Sequence, residues 1–297
     1  VVVPNSVTSI GQGAFQGCNS LVKMTLPFVG GSRSTTSSTP TTSSGTWSGG
    51  SRYLFGYIFG GERSYISSAP TSGNGLIYQG EGAYSSHYYN RYYIPSSLRE
   101  IVITDATGIS ANAFYNCTML TSVTLNEGIT AVNRYAFYNC DGLTEITIPE
   151  SVTSVGSYAF AESGNLTEVT LPSSLTEISD YIFSNCSLLT SINGEGEVML
   201  GANVTSIGIQ AFANCSSITS VTMQGIVISI GAQAFDGCVN LVRVNSGIDG
   251  KVILQEGLTS IGNFAFRNLG KITEVVVPNS VTSIGSYAFG GCFSLTS

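Results

Sequence analysis

The feature that most constrains this chain is a hydrophobic pattern that returns every 23 residues. A phenylalanine, usually preceded by alanine, marks each copy, and the markers are Phe15, Phe114, Phe137, Phe160, Phe183, Phe212, Phe235, Phe266 and Phe289. From Phe114 onward, neighbouring markers are 23, 23, 23, 29, 23, 31 and 23 residues apart. A period of this length predicts a solenoid, in which each copy buries its apolar side only by stacking on its neighbours.

The residues around each marker predict which parts of the coil are strand and which are turn. An aliphatic residue stands five positions before the marker, and glycine stands four positions before it in six of the nine copies, as a tight corner favours. Six positions after the marker a leucine or isoleucine opens a run such as Leu166–Leu171, whose second half alternates as a half-buried strand does. We therefore expect a mainly β solenoid with a parallel strand layer on one side and short turns or single-turn helices on the other.

The seven cysteines all occupy one position of the repeat, three residues after the marker phenylalanine. They are Cys18, Cys117, Cys140, Cys186, Cys215, Cys238 and Cys292, while the two remaining copies have Ser163 and Leu269 there. A position that accepts cysteine, serine or leucine is typical of a buried slot for a small side chain. Stacked copies would also hold their Cβ atoms about one strand spacing apart, which exceeds the roughly 3.5–4.5 Å of a disulfide. We expect structural thiols rather than disulfides, metal ligands or a catalytic cysteine.

The repeat is interrupted between residues 28 and 97, which divides the chain into repeats at 1–27, an insertion at 28–97 and repeats at 98–297. The insertion is rich in Ser, Thr, Gly and Tyr, and residues 51–60 resemble one degenerate repeat copy because Tyr57-Ile58-Phe59 matches Tyr181-Ile182-Phe183. Tyrosine offers a large contact area with a polar tip. The candidate ligand contacts of the insertion are therefore Tyr84, Tyr88, Tyr89, Tyr92 and Tyr93. The alternative is that these rings pack a small hairpin against the solenoid.

Two shorter insertions fall within the strand segment. Ile192 and Val198 both fit one position of the repeat, as do Val244 and Val252, so residues 193–197 and 245–251 are predicted to be loops on the strand side. Glu195, Glu197 and Asp249 lie in these loops, but they lack the spacing of a calcium-binding loop. We expect solvated loops and no metal site.

The outward positions of the predicted strands form a second candidate binding surface. Its candidate ligand contacts are Glu145, Thr147, Glu168 and Thr170, and the alternative is a strand face that only contacts solvent. The full set of expected outward residues is Lys23, Thr25, Glu100, Ser122, Thr124, Glu145, Thr147, Glu168, Thr170, Ser220, Thr222, Arg243 and Glu274. Few of them are the aromatic or arginine residues that dominate protein interfaces, so binding there would be weak and multivalent.

Charge and motif content exclude several classes of function. The net charge is −7 with a pI near 4.7, which argues against a nucleic-acid partner. No apolar run approaches the roughly 20 residues that cross a bilayer, so we expect no membrane insertion. Only 10% of residues are charged, only one histidine is present, and no catalytic or phosphate-binding motif occurs. We predict no enzyme activity, no catalytic, cofactor-binding or metal-binding residues, and no cofactor.

The repeat template V-T-S-I-G-x-x-A-F-x-x-C-x-x-L-T-x-V-x-L-P resembles the BspA-type leucine-rich repeat. Residues 281–292 match it closely, and residues 275–285 are identical to residues 1–11. The resemblance implies a leucine-rich-repeat solenoid from an extracellular or cell-surface protein, whose relatives include adhesins that bind host matrix proteins or other microbes. Because the first and last residues fall inside repeat copies, the sequence predicts a segment of a longer array.

Three functional hypotheses follow from this resemblance and from the insertion. The leading one is a non-enzymatic binding module that adheres to a host or microbial protein. The first alternative is a structural spacer that carries other domains. The second is a carbohydrate-binding module that uses the tyrosine-rich insertion.

Overall fold

The computed structural model describes residues 1–32, 54–65, 77–80 and 88–297, with backbone alone for 61–65, 77–80 and 88–91. These residues form a leucine-rich-repeat solenoid, mainly β, as the repeat predicts. Nearly all of its strands are parallel and pair with the strand of the next coil. The fold class and the side-by-side stacking of coils are therefore confirmed.

The strand layer, defined as the strands that follow the marker phenylalanines, is built as two separate parallel sheets. The three-stranded sheet comprises β1 (Lys23–Leu26), β5 (Glu100–Ile103) and β6 (Ser122–Thr124). The eight-stranded sheet comprises β8 (Glu145–Thr147), β10 (Glu168–Thr170), β12 (Ser191–Ile192), β13 (Val198–Leu200), β15 (Ser220–Met223), β17 (Arg243–Val244), β18 (Lys251–Ile253) and β20 (Glu274–Val276). No strand pairing joins β6 to β8, so the ladder is interrupted there.

A second row of two-residue strands, which the sequence pattern does not predict, lies at the corner before seven of the nine markers. A pair is formed by β7 (Ala131–Val132) and β9 (Ser154–Val155). A five-stranded sheet follows, comprising β11 (Glu177–Ile178), β14 (Ser206–Ile207), β16 (Ser229–Ile230), β19 (Ser260–Ile261) and β21 (Ser283–Ile284). The β-branched Val-Thr-Ser-Ile sequence of the template favours these strands.

The core is a stack of marker phenylalanines that we call the phenylalanine stack. From Phe114 to Phe289, successive ring centroids are 5.2–5.6 Å apart and the rings are nearly parallel, within 17°. Each marker amide also donates to the residue before the next marker, as Phe137 N does to Ala159 O at 2.8 Å. We call the residues from two before to three after each marker the turn layer. It runs from Phe114 to Phe289 without interruption.

The cysteine position of the turn layer is a hydrogen-bonding slot. Cys186 Sγ donates to Phe160 O in the preceding coil at 3.1 Å, and Cys140, Cys215, Cys238 and Cys292 make the equivalent bond. Ser163 Oγ replaces the thiol and donates to Phe137 O at 3.0 Å. All seven thiols are free; six are buried and Cys18 is exposed. The slot is thus buried, as predicted, except at Cys18. Six of its side chains donate a hydrogen bond, whereas Leu269 fills it by packing alone.

Burial changes the acidity of these thiols. Desolvation raises the pKa of Cys140, Cys186, Cys215 and Cys238 well above the usual thiol value, and a backbone hydrogen bond only partly offsets it at Cys140, Cys186 and Cys238. Neutral thiols therefore fill the slot at physiological pH.

Residues 54–60 fill the space between the coils of Phe15 and Phe114. A 3-10 turn, Phe55–Phe59, is almost entirely buried, and the Phe55 ring lies 5.3 Å from Phe114. Phe15 N donates to Ile58 O at 2.8 Å, the bond that a marker makes to its neighbour elsewhere in the turn layer. The boundaries of the insertion and the identity of 51–60 as a repeat copy stay predictions.

The rest of the insertion that the structure describes is a small antiparallel sheet. Its strands are β2 (Gly61–Tyr65), β3 (Ile77–Gly80) and β4 (Tyr88–Tyr92), with β4 in the centre. Tyr92, at the end of β4, lies over Gly56, where an added Cβ would come within 2.5 Å of the Tyr92 ring. The glycine therefore allows the sheet to pack against the 3-10 turn.

The two shorter insertions each add a strand to the strand layer. Ile192 pairs with Val198, and Val244 pairs with Val252, which confirms that both residues of each pair occupy one repeat position. The loop between Ile192 and Val198 folds over the layer, where Glu197 accepts hydrogen bonds from Ser220 and Thr222. Ser220 is consequently 3% exposed, so the expectation that it faces solvent is wrong.

Candidate binding site on the strand layer

A pocket of about 410 Å³ lies on the strand layer beside the interruption between β6 and β8. Its lining comes from three successive coils and is Thr121, Ser122, Val123, Thr124, Leu125, Glu127, Glu145, Ile146, Thr147, Pro149, Glu168 and Thr170. Alternation along the strands explains the arrangement. Inward residues form an apolar floor, and outward residues form polar walls.

The floor of the pocket is made by core residues of β6 and β8 and the segments that follow them. Val123, Leu125 and Ile146 are at most 7% exposed, and Pro149 is also buried. Val123, Leu125 and Ile146 belong to the same buried hydrophobic cluster as the phenylalanine stack. A ligand side chain in the pocket would therefore rest on a rigid apolar surface.

The interruption leaves backbone groups of β8 without a strand partner. Thr167 N and Glu168 N of the next coil both donate to Thr144 O, which shows that the Glu168 amide points to the coil before it. By the same geometry, the amides of Glu145 and Thr147 point toward β6, with which no ladder forms. The pocket thus combines side chains with an open strand edge.

The walls carry unbalanced negative charge. Glu145 and Glu168 are exposed and are register partners in adjacent parallel strands, so two like charges lie side by side. Glu127 contributes a third carboxylate to the lining, which contains no basic residue. Among the described residues, no salt bridge involves any of these three glutamates.

Elsewhere on the strand layer, three acidic side chains form salt bridges. Lys23 contacts Glu100 at 2.8 Å and Lys251 contacts Glu274 at 2.7 Å, each across neighbouring strands. Asp249 pairs with Arg243 at 3.0 Å. The pocket region therefore differs from these parts of the layer in lacking a neutralising partner.

The structure brings together one of the two predicted sets of contacts. Glu145, Thr147, Glu168 and Thr170 all line the pocket. The sequence reading missed Thr121, Glu127 and the apolar floor as site residues, because nothing in the repeat indicates where the strand ladder is interrupted. The open edge depends on how two particular coils stack.

Of the predicted tyrosines of the insertion, Tyr92 and Tyr93 have described side chains, and neither lines this pocket. Tyr84 lies outside the described residues, and Tyr88 and Tyr89 are in β4, paired with Tyr65 and Ser64 of β2. Tyr92 is 2% exposed, whereas Tyr93 is 41% exposed. Of the two tyrosines whose side chains are described, Tyr93 is the one on the surface.

The part of the chain that the structure describes holds no cluster of three or more side chains suited to bind a metal. In the same residues, no helix is long and apolar enough to cross a membrane.

Comparison with known proteins identifies the family. The sequence pattern described as "BspA type Leucine rich repeat region (6 copies)" matches residues 1–101, 85–199 and 197–297. The chain belongs to the BspA-type leucine-rich-repeat family. The family resemblance stated from the template is therefore confirmed. No curated protein sequence matches the chain.

Two solved structures illustrate what the chain is similar to. One is a leucine-rich cell surface protein from Faecalibacterium prausnitzii A2-165, with 28% identity and a TM-score of 0.50, covering 75% of this chain and 66% of that one. The other is a leucine-rich-repeat protein of T. pallidum, with 25% identity and a TM-score of 0.50, covering 66% of this chain and 78% of that one. Both are bacterial leucine-rich-repeat proteins, and this chain spans about two thirds of the first.

Proposed function

We propose that this chain is a non-enzymatic binding module of a secreted or surface-anchored protein, which adheres to a host or microbial protein through the strand layer. The observation that carries the proposal is the pocket at the interruption between β6 and β8. Its apolar floor, open strand edge and polar walls are the elements of a protein-recognition surface. The similar solved structures support the same class of function, since one of them is a cell surface protein.

The charge of the pocket indicates the partner's chemistry. Glu127, Glu145 and Glu168 lie around an apolar floor without a basic neighbour in the lining. A partner that presents lysine or arginine would relieve the repulsion between Glu145 and Glu168, and its aliphatic stem would cover the floor. We therefore propose a basic protein segment as the group that enters the pocket.

Binding of the full chain to an immobilised extracellular-matrix preparation and to washed bacterial cells tests the proposal. Replacing Glu168 with lysine should reduce binding strongly, and raising the salt concentration should weaken binding of the wild type. The matched control is Glu177→Lys, because Glu177 is an exposed glutamate of the second strand row, outside the pocket.

Two results would contradict the proposal. Equal loss of binding in the pocket variant and in the Glu177→Lys control would mean that overall charge, not the pocket, determines binding. No binding of the wild type to either surface would favour the structural spacer. Replacing Tyr88, Tyr89 and Tyr93 with serine tests the insertion separately, and loss of binding in that variant alone would move the site there.

A further inference from the structure

A row of aromatic side chains lies on the turn layer, two residues before the marker phenylalanine in five of the nine coils. Tyr135, Tyr158 and Tyr181 occupy this position in three successive coils, with ring centroids 4.7 Å and 4.3 Å apart. The Tyr158 and Tyr181 rings are nearly parallel, at 6°. All three rings are half-buried, so each has one edge at the surface.

The backbone holds these rings in an unusual conformation. The residue two before the marker has a positive φ in all nine coils, including 60° at Tyr158 and 57° at Tyr181. Large side chains rarely adopt this left-handed conformation, since it brings Cβ close to the backbone. Because the conformation is fixed in every coil, the stacked rings are held in one relative position.

The phenol hydroxyl is not required for the stack. In the last coils Phe264 stacks on Tyr287 at 5.4 Å with an angle of 2°, and Gln210 and Gln233 replace the rings with an amide hydrogen bond of 2.8 Å. Phenylalanine therefore satisfies the packing of this position. Adjacent tyrosines add two neighbouring phenol groups, which can be oxidised and which the packing does not require.

We propose that Tyr158 and Tyr181 form an oxidative cross-linking site, at which a one-electron oxidant joins the two rings as dityrosine. Each phenol gives up one electron and its hydroxyl proton, which leaves two phenoxyl radicals. A carbon–carbon bond then forms between the ring carbons next to the hydroxyls, and the hydrogens on those carbons move to the oxygens. The oxidant takes up two electrons in total, and the product is a covalent bridge between neighbouring coils.

Geometry favours this pair over the others. Tyr158 and Tyr181 have the shortest separation of the described tyrosine stacks, compared with 4.8 Å between Tyr115 and Tyr138. The Arg134 guanidinium lies 4.7 Å from the Tyr135 ring and 5.4 Å from the Tyr158 ring, and its positive charge disfavours loss of an electron there. Of the three stacked tyrosines Tyr135, Tyr158 and Tyr181, Tyr181 lies farthest from Arg134 along the stack.

Exposure and geometry make opposite predictions, which gives the test an internal control. Tyr287 is 70% exposed, but its stacked neighbour is Phe264, which cannot couple. If accessibility alone decided the product, Tyr287 would react before the other tyrosines whose side chains are described, and it would link separate molecules. If pre-positioned rings decide it, the link forms within one molecule between Tyr158 and Tyr181.

The experiment oxidises the full chain with photo-excited tris(bipyridine)ruthenium(II) and persulfate, which accepts the electrons. A protease that cleaves after glutamate then releases residues 151–162 and 178–195, each of which contains one tyrosine. We expect these peptides to be joined, with the fluorescence of dityrosine, a mass lower by two hydrogens and a yield that does not change on dilution.

Three variants decide the outcome. Tyr181→Phe keeps the ring and should abolish this linked peptide, whereas Tyr287→Phe should leave it unchanged. Phe264→Tyr places a phenol opposite Tyr287 and should create a new link between residues 257–274 and 275–297. Absence of the 151–162 to 178–195 link in the wild type, its persistence in Tyr181→Phe, or no new link in Phe264→Tyr would overturn the proposal.

Discussion

The turn layer and the strand layer of this solenoid come from the same repeats, yet they differ in regularity. The turn layer is continuous from Phe114 to Phe289, with one ring and one amide bond per coil. The strand layer is interrupted between β6 and β8 and gains an extra strand at β13 and at β18. We therefore expect stability to be concentrated in the turn layer, where the repeat is strict, while the candidate binding surface lies on the less regular strand layer.

The largest expected effect comes from breaking the turn layer in its middle. Phe160→Ala removes a fully buried ring that stacks on both sides, and should cost about 3–5 kcal/mol of unfolding free energy. Urea denaturation of the full chain measures it. Phe289→Ala is the control, because Phe289 is only half-buried and should cost clearly less. Equal costs at both positions would mean that full burial and stacking on both sides add nothing to the contribution of a marker ring.

If Phe160→Ala does not fold, Phe160→Leu keeps most of the volume. It should cost less than Phe160→Ala, about 1.5 kcal/mol or somewhat more because the stacked ring is lost.

A smaller effect per residue is expected from alkaline pH. Burial raises the pKa of the Cys186 thiol above its unfolded value, so the folded state retains the proton while the unfolded state releases it. The stabilisation is fully present below the unfolded pKa and is lost as pH rises beyond it, by about 1.4 kcal/mol per thiol and pH unit. Urea denaturation at pH 7 and at about one unit above the unfolded thiol pKa measures this dependence.

Cys186→Ser separates this effect from other alkaline titrations. Serine fills the same slot in the coil of Phe160, where Ser163 donates to Phe137 O, so we expect little change near neutral pH. At high pH the variant should lose less stability than the wild type, because one titrating group is missing. An identical pH dependence would show that Cys186 does not contribute.

At the left-handed positions of the turn layer, substitution by alanine and substitution by glycine should affect stability differently. Tyr158→Ala and Tyr158→Gly both remove the ring, but only alanine keeps a Cβ at a φ of 60°. We expect the glycine variant to be more stable than the alanine variant by about 1 kcal/mol, the reverse of the usual order. Thermal or urea unfolding of the pair measures the difference. A more stable alanine variant would contradict the assigned backbone conformation.

The smallest effects are expected in the strand layer, and they should differ in sign. Glu168→Gln removes repulsion from Glu145 and should stabilise the fold by about 0.2–1 kcal/mol. Glu274→Gln removes the partner of Lys251 and should destabilise it by at most about 1 kcal/mol. Denaturation at low salt measures both. The same sign for both variants would show that charge pairing across the strands is not the cause.

The sequence predicted the regular parts of this molecule and not the irregular ones. The period, the strand layer, the buried cysteine slot and the register of Ile192 with Val198 all follow from residue types at fixed spacing. The interruption at β8 does not, since Glu145-Ile146-Thr147 has the same pattern as Glu168-Val169-Thr170. The interruption depends on the packing of two neighbouring coils, which the residue pattern of a single repeat does not determine.

Two further features were missed for a related reason. The second strand row comprises strands of two residues, and these are too short for alternation to indicate them. The burial of Ser220 depends on Glu197, which reaches it from a loop of the preceding coil. Both features arise from contacts between neighbouring coils, which the pattern within one repeat does not show.

Amide hydrogen exchange tests the central contrast between the two layers most directly. The amides of Glu145 and Thr147 face the interruption, whereas Glu168 and Thr170 occupy the same positions one coil later within a continuous ladder. We predict that the Glu145 and Thr147 amides exchange at least about tenfold faster than those of Glu168 and Thr170, while Phe137 and Phe160 amides in the turn layer stay equally protected. Equal protection of the two strands would contradict the interruption, and with it the open edge on which the proposed binding site depends.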